Sequence, residues 1–464
     1  MIFISNFPTN FRKNVIFKKL SKCFLVVATL ITISFLIRLF FIHPTFSDEN
    51  FYFNAAKQVL ANKAPYRDFF FAHPPLQIYF LALLFKIFGA SFAVGKISTL
   101  IFSSLSAFLI FFLGKTMYDE KAALTAVVFF IITPAFLSFS SMGYGMFEAL
   151  LFVLLSFYLF LKEKYLSSSL SMVLAAMFRY TAFIYILPFL IFWKRKNIKK
   201  MFVFLFPMAA VTFIVLLSVF GTEYFKDTVL YHTSLKVGVP QPLSLQYWSF
   251  SLPIIFLVLL SMIFSFRQKD RTTFYLGLTA LVVDLLLLLT LKNIFYHYFI
   301  ISLPFYMLAI ASMFQKMKDV LMKFAIIAVF LLMVFNNFKT IDYYNNPSQA
   351  ESFKEAADYV AGQTKSGEKI FGEPTLTNYV SFTRGIAITG GYIDSYTTHI
   401  AFDGEEKVVE MLSKEKPKII VEMKLEGNYY YLGVPALKQF IQTHYGNVYN
   451  SSGIPEYLVF ELRQ

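Results

Sequence analysis

Residues Phe46 to Pro75 read FSDENFYFNAAKQVLANKAPYRDFFFAHPP, a polar stretch with apolar runs on both sides. Upstream of it, Cys23 to Ile42 is an apolar run of roughly 20 residues, the length at which a helix crosses a hydrocarbon core of ~30 Å. The adjacent acids Asp48 and Glu49 follow that run closely, and Arg67, Asp68 and His73 come before the chain turns apolar again. Placed there, the stretch reads as an active-site loop at a membrane surface.

The composition around it fits that setting. The chain has 464 residues, of which 57% are hydrophobic and only 15% charged, too apolar for a soluble domain of ordinary composition. The formal charge of +14 invites a nucleic-acid reading, but the basic residues fall mostly in short loops between apolar runs, as the positive-inside rule requires. With Cys23 as the single cysteine, neither an intrachain disulfide nor a cysteine metal cluster is available. Arg12, Lys13, Lys18, Lys19 and Lys22 precede the first run, which has no small-residue cleavage site; it reads as a retained helix with a cytoplasmic N-terminus.

Further apolar runs recur at 96–114, 122–139, 147–161, 168–193, 201–220, 249–266, 273–291, 298–314 and 321–338. They are too uniformly apolar for barrel strands, so the expected form is helical, with about eleven membrane helices. Residues 75–88 reach only ~21 Å as a helix and are expected to lie along the membrane face. The 168–193 run carries Arg179 in its middle, where a lipid-facing charge costs on the order of 3 kcal/mol or more; two short helices meeting there resolve the conflict. On that reading Glu148 shares the external face with Asp48 and Glu49. After residue 340 the composition becomes mixed, with helices expected at 350–364, 403–416 and 436–445 and strands at 369–372, 418–423 and 457–462. The expected organisation is a membrane domain, residues 1–340, and a small external α/β domain, residues 341–464.

The Asp48-Glu49 pair has a plain structural explanation. Ser47 can cap a helix whose first turn is acidic, and Phe51, Tyr52, Ala55, Ala56, Val59 and Leu60 then form an apolar face opposite Asn54, Lys57 and Gln58, as in an interfacial amphipathic helix. What favours function is company: the turn Pro65-Tyr66-Arg67-Asp68 carries a guanidinium suited to phosphate, and His73 adds a metal ligand or proton carrier. In the loop 221–247, His232, Lys236 and Pro240-Gln241-Pro242 either cover a substrate or merely connect, and Lys292 and His297 are explained as well by snorkelling or packing.

With these residues in view the sequence resembles the lipid-phosphosugar-dependent glycosyltransferases of the membrane GT-C class, near the protein O-mannosyltransferase and lipid A aminoarabinose transferase branch. The resemblance rests on SDENFYFNAAKQVL (47–60), PYRDFFFAHPPL (65–76), FGASFAVGKISTLIF (88–102), TPAFLSFSSMGYGMFEAL (133–150) and YHYFIISLPF (296–305). It implies a GT-C fold with juxtamembrane helices in the first external loop, Asp48 with Glu49 as catalytic carboxylates, and Glu148 in place of the family's usual Asp as a second acid. It further implies a hexosyl- or pentosyl-type transfer from a polyprenyl-phosphate sugar to a lipid, glycan or protein acceptor outside the cytoplasm. The chain shows no P-loop or dinucleotide fingerprint, as befits a preactivated donor. Asp48 would take the acceptor proton with inversion. Tyr66, Arg67, Asp68, Arg179, Lys236 and Lys292 would bind the donor, its phosphate charge met by Arg or by a divalent metal cation near His73. The competing readings are a transporter or flippase of a lipid-linked glycan, whose charges sit at the midplane of repeated halves, and a non-enzymatic envelope protein.

Overall fold

The structure, a computed structural model, describes residues 21–192, 197–235, 245–290, 296–391, 396–425, 428–429, 431–451 and 456–463. Helix α1 (Lys22–Leu39) starts at Ser21, whose hydroxyl accepts from the Phe24 amide at 3.2 Å, and exposes Leu25, Ile33 and Leu36 as a lipid-facing helix would. The first loop then forms α2 (Glu49–Leu60) and α3 (Leu76–Phe88). With 13 residues α3 is too short to span; it exposes Tyr79, Leu83 and Ile87 one turn apart and buries Ile78, Leu81, Ala82 and Phe85. A separate short helix was expected here from its length.

Helix α4 (Phe92–Met117) is a full span of 26 residues. The next apolar run does not stay whole. Helix α5 (Glu120–Ile131) ends before Pro134, which has no amide hydrogen to continue the ladder, and α6 (Pro134–Phe139) restarts with the Thr133 hydroxyl accepting from the Phe136 amide. After α7 (Met146–Leu161), α8 (Tyr165–Phe178) stops where Arg179 turns extended, and a 3₁₀ helix follows over Tyr180–Phe192. The break expected at Arg179 is therefore present. Helix α9 (Ile198–Phe225) breaks at Gly221 and leads into a π-helical segment, Lys226–Leu235; α10 (Leu245–Arg267) and α11 (Arg271–Thr290) follow. A 3₁₀ turn, Tyr296–Ile301, precedes α12 (Leu303–Lys316), and α13 (Val320–Asn336) is bent by 55° from α14 (Phe338–Asn345). Among the described residues five helices are long and apolar enough to cross alone, or six if the bent pair counts as one span. The expectation of eleven membrane helices counted apolar runs, and several of those runs are short or broken pieces.

The C-terminal part contains α15 (Glu351–Gln363), β1 (Lys369–Gly372), α16 (Pro374–Arg384), β2 (Ala387–Ile388), α17 (Tyr396–Glu415), β3 (Ile419–Leu425), β4 (Asn428–Tyr429), α18 (Pro435–His444), β5 (Tyr445–Asn450) and β6 (Glu456–Leu462). The sheet order is β2-β1-β3-β6-β5, with β1 parallel to β2 and β3 and with β6 antiparallel to both β3 and β5; β4 pairs with β3 alone. Gly372 is required at the β1 edge, since a Cβ there would lie 2.1 Å from the Val421 carbonyl oxygen. Of the elements in this part, α16, β2, β4 and β5 were not foreseen.

One continuous core runs from the membrane helices into this part. Phe382 of α16 packs on Phe53, Phe85 and Phe92 with ring centroids 6.0, 5.6 and 5.0 Å away, and Phe46 meets Phe353 and Tyr457 at 5.6 and 6.0 Å. A second core, with Phe371, Leu412, Ile420 and Leu437, lies within the α/β part alone. The composition change near residue 340 is thus bridged by packing.

Candidate active site

The site is built around the N-terminus of α2. Asp48 occupies the N-cap position but does not cap its own helix, and it is exposed. Its neighbour Glu49 points the other way, into a fully buried ion pair with Lys96 at 2.9 Å, and accepts from the Thr45 hydroxyl at 2.6 Å. Two adjacent acids therefore do different things. A buried charge pair of this kind survives only with good geometry, and here it fixes α2 to α4. The polar side of α2 is not in water: Asn50 and Asn54 are buried, contrary to the expectation of an interfacial helix with a solvated polar face. They are covered by α16.

Lys96 and Thr99 share a face of α4, one turn apart. Lys96 meets Glu49, and the Thr99 hydroxyl donates to Glu148 at 2.7 Å in the first turn of α7. Gly145, with φ 76°, brings α7 in: a Cβ there would sit 2.4 Å from Oε1 of Gln77, whose amide donates to the Gly143 carbonyl at 2.6 Å. The acids Asp48, Glu49 and Glu148 thereby gather at one end of the helices, beside the α/β part.

Arg179 completes the group. It is 4% exposed, its guanidinium lies 4.9 Å from the Tyr52 ring centroid, and it donates to the Tyr144 carbonyl. The extended residue between α8 and the 3₁₀ helix is what turns this side chain inward. His297 stacks at 4.8 Å on Tyr144 and feels the Arg179 charge. Asp48 lies within electrostatic reach of Tyr52, Tyr144, Tyr344 and Glu373, so Asp48 and Arg179 flank the same two tyrosines, Tyr52 and Tyr144. A carboxylate and a cation beside the same aromatic residues suit a reaction that removes a proton at one end and generates an anion at the other.

The remaining expected residues fall elsewhere. Arg67 is 73% exposed and bonded to its neighbour Asp68 at 2.9 Å; that bond and the Ala64 amide hold the Asp68 carboxyl down at about 2. Nothing among the described contacts joins this pair to Arg179. Tyr66 is buried, donates to the His73 carbonyl at 2.7 Å and packs on Phe220 and Tyr224. The His73 ring stands 5.6 Å from both Tyr52 and His232, and His232 Nε2 lies 2.8 Å from the Ala72 carbonyl oxygen, so the Lys226–Leu235 segment rests on the His-Pro-Pro stretch. Lys236 and Lys292 lie outside the described residues. Among the described residues no three His, Cys, Asp or Glu side chains converge as a metal would need, and Glu49 is already matched by Lys96, so we derive no step through a metal.

Two buried groups near α2 and outside the spans have displaced proton affinities. Burial and the Lys96 charge push His43 down to about 4, so it is neutral at physiological pH. Burial pushes Glu373 up to about 7, the Asp48 charge adding to the effect. Glu49 Oε2, Glu148 Oε2, Arg179 Nε, Gln77 Oε1, Asn50 Oδ1 and His43 Nε2 are buried and find no partner among the described residues. Their concentration around α2 marks where polar ligand atoms or water would be held.

Sequence reasoning missed four of these residues. Lys96 counted only as the start of the 96–114 run, although a lysine followed three residues later by Thr99 on an apolar helix places two polar groups on one face. Tyr144 and Tyr344 carried no signal among 28 tyrosines. Glu373 did: with Pro374 after it and Gly385 ending α16, it is a helix-start and helix-stop pattern.

Comparison with known proteins agrees with this geometry. Residues 72–221 match the family described as dolichyl-phosphate-mannose-protein mannosyltransferase. The structure resembles ArnT from Cupriavidus metallidurans bound to undecaprenyl phosphate, with a TM-score of 0.68 at 10% identity over 94% of this chain and 97% of that one. It also resembles the Archaeoglobus fulgidus oligosaccharyltransferase in its apo form, with a TM-score of 0.56 at 10% identity over 87% and 70% of the two chains. For AglB from the same organism, in complex with an inhibitory peptide and a dolichol-phosphate, the TM-score is 0.56 at 11% identity over 95% and 74%. No curated protein matches by sequence. The chain has the fold of the GT-C class of membrane glycosyltransferases and, over residues 72–221, the sequence signature of the dolichyl-phosphate-mannose-protein mannosyltransferases.

Proposed function

We propose that the chain is a glycosyltransferase that moves one sugar from a polyprenyl-phosphate donor to an acceptor hydroxyl on the extracytoplasmic side, with inversion. The observation that carries this reading is the pairing of Asp48 with the buried Arg179 across Tyr52 and Tyr144. The acceptor O–H would give its proton to the Asp48 carboxylate as its oxygen bonds to the anomeric carbon. The bond from that carbon to the phosphate oxygen breaks, and the lipid phosphate leaves with its added charge beside Arg179. Glu49, neutralised by Lys96, is a structural acid in this scheme, and Glu148 contributes its orphaned oxygen to the polar floor. The exposed Arg67 leaves the phosphate to Arg179.

An apolar cavity of about 320 Å³ is lined by Val173, Met177, Tyr180, Phe183, Ala209 and Phe213, Tyr180 being the chain neighbour of Arg179. Its apolar lining suits an isoprenoid segment. The test is to reconstitute the purified protein in liposomes and offer a panel of radiolabelled polyprenyl-phosphate hexoses and pentoses. Release of lipid phosphate with sugar appearing on an acceptor supports the proposal, and a product of retained anomeric configuration overturns inversion. Intact lipid-linked sugar crossing the bilayer, with no donor turned over, would instead favour a flippase.

A further inference from the structure

Helices α2 and α16 lie side by side through polar contacts on one face of each. The Asn50 amide donates to the Thr375 carbonyl at 3.3 Å, the Asn54 amide to Asn378 Oδ1 at 2.7 Å and the Lys57 ammonium to the Phe382 carbonyl at 2.5 Å. The partners rise together along the two helices, separated in sequence by 325, 324 and 325 residues. The helices are therefore parallel, and extending the register two residues back sets Asp48 level with Glu373. Each is the N-cap of its helix. Glu373 is 2% exposed and accepts from the amides of Thr375 at 3.0 Å and Leu376 at 2.8 Å. It belongs to the α/β part, 325 residues from the carboxylate it accompanies.

Two carboxyls at the level of paired helix starts interact: burial raises Glu373, and the Asp48 charge adds to it. The other titratable groups acting with Glu373 are Tyr343 of α14 and Tyr457 of β6, both neutral near pH 7. Of the elements packed on α16, α2 carries Glu49, paired with Lys96, and Lys57, bonded to the Phe382 carbonyl. Helix α15 carries Glu351, Lys354, Glu355 and Asp358, and β1 carries Lys369. Of these, Lys354 acts on His43, Glu355 on Tyr449, Asp358 on Arg384 and Lys369 on Glu415. His43 is already neutral in this range. Glu373 is thus a group at the level of Asp48 whose charge changes near neutrality.

We propose that Glu373 is a positioning residue for Asp48: the α/β part holds it level with the catalytic carboxylate, and its ionisation strengthens Asp48 as a base. The inference rests on the reading of Asp48 as that base. A negative Glu373 disfavours a second negative charge nearby and so makes Asp48 hold a proton more firmly, which raises transfer as pH increases through about 7.

The full-length protein reconstituted in liposomes provides the test, first without any substrate. Infrared difference spectra of the wild type should contain a protonated-carboxyl component, separate from the contribution of the buried Asp284, that disappears with a midpoint near pH 7. That step should be absent in Glu373→Gln and should move to lower pH in Asp48→Asn, because the coupling is reciprocal. Persistence of the step in Glu373→Gln, or an unmoved midpoint in Asp48→Asn, overturns the proposal. With a donor that the wild type turns over, Glu373→Gln should match the wild type at pH 6 and lack a rise of about threefold above pH 7. Glu373→Asp, which keeps a carboxyl, should retain that rise. A wild-type pH profile in Glu373→Gln overturns the inference while leaving Asp48 as the base. Turnover by Asp48→Asn would overturn the reading of Asp48 itself, and the infrared midpoints would still report whether the two carboxyls are coupled.

Discussion

Two charged pairs lie in the same loop, and the fold treats them in opposite ways. At 67 and 68, Arg and Asp close on each other in solvent. At 48 and 49, two acids separate: Glu49 goes inward to Lys96, and Asp48 stays exposed, within electrostatic reach of Tyr52, Tyr144 and Tyr344. On sequence alone the turn with its guanidinium looked like the natural phosphate site. Burial reverses that ranking, because a cation in water interacts weakly with an anion and is screened, whereas Arg179 is desolvated and held by Tyr52 and Tyr144. The lesson concerns energy as well as place: a charge that the fold has gone to the expense of burying marks chemistry better than one that merely lies near a membrane.

Substitutions can break this contrast. The largest effect on stability is expected at Lys96. Lys96→Met leaves the Glu49 carboxylate buried without its partner and should destabilise the protein by about 3–5 kcal/mol, seen as a lower thermal midpoint in detergent. Adding Glu49→Gln should recover much of that loss, since the double variant buries no charge; failure to recover would mean that Lys96 acts through something other than the pair. Next comes Arg179→Gln, for which transfer should fall by about 10²-fold, as for loss of one donor to a developing anion. A change in donor affinity alone, with the maximal rate intact, would place the phosphate elsewhere.

The smallest effect belongs to the exposed pair. Arg67→Ala should change transfer by less than about threefold. The Asp68 carboxyl is held down at about 2, so its contribution is present above about pH 4 and lost as pH falls through 2. Being exposed, that contribution is small, and the acid-unfolding curves of Arg67→Ala and wild type should nearly superimpose. A large loss of transfer in Arg67→Ala would restore the turn as the phosphate site.

Much of the membrane half was legible because length and charge act locally. Thirteen apolar residues in α3 cannot span, and Arg179 inside a long apolar run has to sit at a break. Asp48 and Glu148 were found through motif likeness, and the structure does bring them to one end of the bundle. The short apolar run in KIIVEM, read as a buried strand, identified β3 equally well. What could not be read was long-range. The buried face of α2 looked solvated because its cover, α16, lies more than 300 residues away. That helix, PTLTNYVSFTR, is rich in Thr, Asn, Tyr and Val and so weak in intrinsic helix propensity; packing on α2 and α15 supplies what its composition lacks. The breaks inside the apolar runs were equally hard to read, since hydropathy registers apolar length and overlooks breaks at Pro134 and Ser302.

The contrast between the two acids, Asp48 and Asp68, is tested most directly in one preparation. Wild type, Asp48→Asn and Asp68→Asn, each verified as folded by detergent chromatography, would be reconstituted and assayed for donor-dependent release of polyprenyl phosphate. We predict that Asp48→Asn loses on the order of 10³-fold in rate while Asp68→Asn stays within about threefold of wild type. Undiminished release by Asp48→Asn, or a collapse confined to Asp68→Asn, would contradict the assignment of Asp48 as the catalytic base.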